Sequence, residues 1–186
     1  MFCYQILSPL RGKLYEGFVD ILIENCDTYI FNLPNMEKIT VNKRNKKHMR
    51  GLPIGYTKTE EPEEHEKYIL STQKYFDLVK SDIVKSVRDT GYLNQVGSNE
   101  LEVFLLKISK RTKNLFKEFD CFSEWVYPKA PEDPCFFANG KCVFQCISHE
   151  NLQYLFSYDR IFTDFFKTNM IKTSKRFCGS IPKLDF

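Results

Sequence analysis

WVYPKAPEDPCFFANGKCVFQCISHENLQYLF, from Trp125 to Phe156, is the stretch whose reading decides the fold of this 186-residue chain. Its centre is Asn139-Gly140. A two-residue type I′ turn needs φ > 0 at both central positions, and Asn followed by Gly tolerates that best. With those two as the loop, Ala138 faces Lys141, Phe137 faces Cys142, Phe136 faces Val143 and Cys135 faces Phe144. Side chains alternate across a strand. One face then carries Cys135, Phe137, Cys142, Phe144 and Cys146, and is wholly apolar. The other carries Phe136, Ala138, Lys141, Val143, Gln145 and Ile147, and is mixed. The expectation is a β-hairpin pressing its Cys/Phe face on a core. Leu152 to Phe156 extends it into a meander.

Outward from the hairpin, Pro128, Pro131 and Pro134 bracket Glu132 and Asp133. Proline fixes φ and lacks an amide donor, so this lead-in is a stiff extended or turning segment. On the other side, Ser148-His149-Glu150-Asn151 breaks the apolar alternation. Histidine titrates near neutral pH and can pair with an adjacent carboxylate. His149 and Glu150, with Glu132 and Asp133 converging on the same hairpin end, form the candidate acid–base set. The same carboxylates offer oxygen ligands to a divalent cation. The competing reading makes Glu132 and Asp133 turn residues bonding local amides. That reading is preferred, and no metal or cofactor is expected.

The string Trp125-Val126-Tyr127-Pro128, Pro131-Glu132-Asp133, Phe136-Phe137 and Ile147-Ser148-His149-Glu150 resembles a segment of small uncharacterised bacterial and phage cytosolic proteins. The resemblance implies a bacterial or phage cytosolic origin and carries no activity.

Earlier in the chain, residues 12–25 place Leu14, Phe18, Ile21 and Leu22 at helical spacing, although Gly17 weakens the pattern. Tyr29 to Phe31 reads as a short strand stopped by Pro34, with Lys38 to Val41 as its partner. From Pro62, the positions Tyr68, Thr72, Tyr75, Phe76, Val79, Ile83 and Val87 step along one helical face, and Gly91 is a C-terminal stop. Asn99 with Glu102 fits a capping box for a second helix, whose stripe is Leu101, Phe104, Leu105, Ile108, Leu115, Phe116 and Phe119. Two helices joined by a Gly-containing loop should pack antiparallel. Ile161, Phe162, Phe165 and Phe166 suit a short further helix, and the tail after it has no clear period.

The expected fold is therefore α+β, in one domain over 1–186. An antiparallel helix pair at 62–119 packs on a small antiparallel sheet with a central β-hairpin at 125–156. Residues 1–60 add mixed structure, and 157–186 a helix and tail.

Composition narrows the function. A hydrophobic content of 42%, with seventeen Phe and ten Tyr, is ample for an aromatic core. Twenty-seven Lys and Arg against 24 Asp and Glu leave +3, too little to argue nucleic-acid binding by itself. The basic run Lys43, Arg44, Lys46, Lys47 and Arg50 is the candidate phosphate contact, beside the face of Lys107, Lys110, Arg111, Lys113 and Lys117. No apolar run approaches a membrane span, and the N-terminus lacks a signal-peptide pattern, so a cytoplasmic protein is expected. Seven cysteines without a C-x-x-C pair are expected reduced and mostly buried there.

No phosphate-binding, zinc-protease or serine-hydrolase motif is present. The reading is a non-enzymatic intracellular protein-binding or inhibitor protein, of the toxin-neutralising or defence-related kind. Trp125, Tyr127, Lys107 and Arg111 are its candidate partner-binding residues. The alternatives are a small enzyme using the His149/Glu150 set and a nucleic-acid binder using the basic positions.

Overall fold

The structure, a computed structural model, describes residues 2–34, 62–88, 101–127, 129–157 and 159–178. The chain runs β1 (Phe2–Ile6), α1 (Lys13–Asn25), β2 (Thr28–Pro34), α2 (Pro62–Val79), β3 (Ile83–Arg88), β4 (Leu101–Lys107) and α3 (Lys110–Phe116). It continues with β5 (Glu132–Ala138), β6 (Lys141–Ile147), β7 (Leu152–Leu155), α4 (Arg160–Thr168) and β8 (Thr173–Phe177). The strands form one eight-stranded sheet in the order β3-β4-β2-β5-β6-β7-β1-β8. Every pairing is antiparallel. The fold is α+β as read, on a sheet far larger than the small one expected.

The helical pair is where sequence and structure part. Leu101–Lys107 is a strand, and so is Ile83–Arg88. Apolar residues crowd both faces of β4: Val103 and Leu105 enter one buried cluster, Phe104 and Leu106 the other. A run buried on both faces satisfies helical spacing as easily as strand alternation, and only the neighbouring strands separate the two. β4 pairs with β2 over its full length, from Thr28 opposite Lys107 to Pro34 opposite Leu101. The helix begins later, at Ser109, in a capping box with Thr112. Lys38 to Val41, the other strand proposed for β2, lies outside the described residues.

All four described helices feed one core. Tyr15, Phe18, Val19 and Leu22 of α1, Val79 of α2, Leu115 and Phe116 of α3, and Phe162 and Phe166 of α4 share a single cluster with the sheet. The stripe of α1 keeps the expected period. Gly17 has a reason to be small: a Cβ there would meet the Phe165 ring at 3.3 Å, so α4 packs close against α1. The second cluster draws on strands and Phe156 alone: Cys3, Ile30, Val103, Leu105, Cys135, Phe137 and Cys142.

The hairpin forms about Asn139 and Gly140, at φ 51° and 72°. Its register differs from simple alternation. Ala138 faces Lys141 and Phe137 faces Cys142 as expected, but Phe136 then faces Phe144 and Cys135 faces Gln145. Val143 is the extra residue of a bulge. Consequently Cys135, Phe137 and Cys142 lie in the second cluster, while Val143, Phe144 and Cys146 lie with the helices. The expected single Cys/Phe face is thus divided between two buried faces.

Two strands were not read from the sequence. β1 and β8 join the chain ends, with Phe2 opposite Phe177 and Ile6 opposite Thr173. Cys3 and Cys178 form a disulfide there, which corrects the expectation of seven reduced cysteines. Cys26, Cys121, Cys135, Cys142 and Cys146 are free. No described helix is long and apolar enough to cross a membrane.

Candidate functional site

The acidic and imidazole groups meet where β5 begins and β6 ends. Between Ile30–Cys135 and Asn32–Glu132 the β2–β5 register shifts, leaving an extra residue on β5. Pro34 aside, a central strand rejects proline because it cannot donate to the ladder, and a bulge is one place that admits it. Pro134 sits at this one. Asp133 beside it takes φ 52°, a left-handed conformation that Asp tolerates better than most residues. The bulge turns the Asp133 carboxylate inward, where it is buried and accepts the Ser148 amide at 2.6 Å.

Ser148–Glu150 is a single 3₁₀ turn, closed by Asn151 at φ 53°. It presents His149 with Nδ1 3.9 Å from Asp133 Oδ1 and Nε2 3.8 Å from Glu150 Oε1. The imidazole is about half exposed, so these are loose approaches at a surface. Glu132 turns elsewhere: its Oε1 accepts the Tyr127 amide at 3.1 Å. Burial, with a smaller push from the Asp133 charge, raises the Glu132 carboxyl to about 7. The structure thus gathers Asp133, His149 and Glu150, and ties Glu132 into the Pro-rich lead-in. Cys146 lies close by, its Sγ 3.3 Å from Ser148 Oγ. Burial pushes that thiol well up, away from the thiolate form a nucleophile requires. Among the described residues, no group of three or more His, Cys, Asp or Glu is gathered to hold a metal ion.

The partner-binding candidates separate by exposure. Trp125 is wholly buried, stacked on Phe116 at 4.2 Å between ring centres and 4.5 Å from Phe119. Its indole N–H donates to the Tyr15 hydroxyl at 3.1 Å. Tyr127 is buried as well. Both follow the Phe122–Glu124 turn and belong to no strand, so neither is an exposed anchor. Arg111 is about half exposed and grips Asp82 with two bonds, Nη2–Oδ1 at 2.7 Å and Nε–Oδ2 at 3.2 Å. That bond holds the Asp82 carboxyl below its ordinary range. It fastens the start of α3 to the turn between α2 and β3. Lys113 pairs with Asp20 of α1 at 2.7 Å, and Lys107 is exposed at the end of β4. The basic face read over 107–117 is therefore divided between a strand and a short helix, with two of its charges paired. Lys43, Arg44, Lys46, Lys47 and Arg50 lie outside the described residues.

A groove of about 540 Å³ opens between α2 and α3, lined by Lys74, Tyr75, Leu78, Asn114, Lys117 and Glu118. Lys74 and Glu118 approach to 3.5 Å across it. None of the acid–base candidates lines it.

A feature missed in the sequence is the β8 edge. Phe2 and Phe177 are 45% and 73% exposed, with ring centres 5.7 Å apart, edge to face. Lys175 Nζ stands 4.5 Å over the Phe2 ring, and Arg176 donates to Gln5 at 3.0 Å. The only available signal was alternation within Thr173–Phe177, which is too short to stand out.

Fold and site together define an α+β protein with one antiparallel sheet, helices packed in a single core, and an aromatic, cationic strand at one edge. No family model, curated protein or solved structure matches the chain.

Proposed function

We propose that this chain is a non-enzymatic protein-binding or inhibitor protein of bacterial or phage type, toxin-neutralising or defence-related, and that it engages an acidic partner through the β1–β8 edge. The carrying observation is the exposed Phe2/Phe177 pair beside Lys175 on a terminal strand. An edge strand has backbone donors and acceptors turned outward, and a further strand can add to them. Exposed aromatics with flanking cations favour an extended segment that alternates carboxylates with apolar side chains. A cytoplasmic setting is part of this reading. Five free cysteines, four of them buried, support it, and the Cys3–Cys178 disulfide weighs against it. The candidate acid–base groups weigh toward binding as well: Asp133 and Glu132 are engaged by the Ser148 and Tyr127 amides.

The test is a capture experiment from host extract with the wild-type chain and a Phe2→Ala/Phe177→Ala double variant. A partner retained by the wild type, eluted by raised salt and lost by the variant is expected. Identical capture by both would sink the reading.

One observation favours the enzymatic alternative. Burial and the Asp133 charge raise the Glu132 carboxyl to about 7, at the same hairpin end as His149. A general acid needs a pKa of that order. Turnover abolished by both Glu132→Gln and His149→Ala in folded protein would put this reading first.

A further inference from the structure

We propose that Cys3–Cys178 is a redox-operated latch that holds the edge strand β8 on the sheet, and that a small-molecule thiol or dithiol reductant opens it. The inference does not depend on the edge having a partner.

Among the described residues, β8 is attached only through β1. Among the described residues it pairs with β1 alone and ends the sheet. None of its five residues is buried; Thr173 and Ser174 are partly exposed, and Lys175, Arg176 and Phe177 are exposed. Its ties among the described residues include the ladder to β1, the Arg176–Gln5 bond, the Phe2–Phe177 contact and Lys175 over the Phe2 ring, all of them to β1. A strand that buries no side chain opens locally at small cost. The covalent bond joins its end to Cys3, which is buried on the neighbouring strand β1, itself paired to β7. The crosslink thus ties the exposed edge strand to the buried strand beside it.

The two sulfurs differ in access. Cys3 is buried and Cys178 is partly exposed. An external thiolate attacks Cys178 Sγ, forming a mixed disulfide and expelling Cys3 as a thiolate that takes up a proton. A second thiol attacks the mixed disulfide at the external sulfur, releasing Cys178 as a thiol. Two external thiols become one external disulfide, and the protein disulfide gains two electrons. Among the other five cysteines, burial raises the thiols of Cys135, Cys142 and Cys146, and that of Cys26 to about 12, and Cys121 is buried.

Two measurements test this on the full chain. In the first, thiols are alkylated in denaturant before and after reduction and counted by mass. Five modified cysteines before reduction and seven after are expected. Seven before reduction would overturn the proposal. In the second, amide exchange is followed in the oxidised chain, after mild dithiothreitol treatment, and in Cys178→Ser. Exchange at residues 173–178 should accelerate by roughly tenfold or more on opening, with β5 and β6 still protected. Unchanged exchange at 173–178 would overturn the latch. So would loss of protection throughout the sheet, which would make the bond a global staple. Mild reduction of the wild type supplies the answer if Cys178→Ser does not fold.

Discussion

Trp125 donates its indole N–H to the hydroxyl of Tyr15 at 3.1 Å, across 110 residues of sequence. Tyr15 passes the bond on, donating to the Phe116 carbonyl at 3.1 Å. Two polar groups thus enter an aromatic core fully satisfied, and they link α1, α3 and the approach to the hairpin. Tyr15→Phe leaves the buried indole N–H and the Phe116 carbonyl without this partner. It should lower stability by about 1–3 kcal/mol, read from urea unfolding. Trp125→Ala should cost about 3–5 kcal/mol, because it also empties the space between Phe116 and Phe119.

Asp133 bridges the bulge of β5 and the turn after β6. Asp133→Ala removes the acceptor for the Ser148 amide and places Ala at φ 52°. A loss of about 2–4 kcal/mol is expected from the unsatisfied buried donor and the backbone strain together. Asp133→Asn keeps an acceptor and a residue tolerant of that φ, and should lose less than half as much. Equal losses in the two variants would show that charge, not the bond, matters at this position.

Glu132 makes stability depend on pH near neutrality. Its folded carboxyl is raised from 4.5 to about 7. Between those values the folded chain holds a proton that the unfolded chain has released. Stability is therefore full below pH 4.5, falls as pH rises through 7, and levels above it. The fall attributable to this group is on the order of 3 kcal/mol. Glu132→Gln should flatten that slope, with unfolding followed in urea between pH 5 and 8.

Gly140 has open space where a Cβ would stand, but φ of 72°. Gly140→Ala therefore reports backbone strain alone, about 1 kcal/mol of destabilisation. Thermal unfolding measures it. A much larger loss would mean that the turn packs against something beyond its own strands.

Local chemistry was legible. Asn139-Gly140 dictated a turn because few dipeptides accept two positive φ values. The stripe of α1 and the start of α2 at Pro62 were legible for similar reasons of period and backbone. The gathering of Asp133 with His149 was foreseeable from strand ends once the hairpin was placed. An aromatic at Trp125 is more often core than contact surface, and the structure buries it, against its place among the candidate partner contacts.

By itself, the sequence determined the α+β character, the hairpin about residues 139 and 140, and the carboxylate–imidazole end of that hairpin. Each follows from interactions within a few residues. Tertiary structure alone decided that 83–88 and 101–107 are strands, that Val143 bulges, and that β1 and β8 close the sheet through Cys3 and Cys178. In each case the backbone's partner is far away in the chain. A segment apolar on both faces settles as strand only when another strand lies beside it to take its hydrogen bonds.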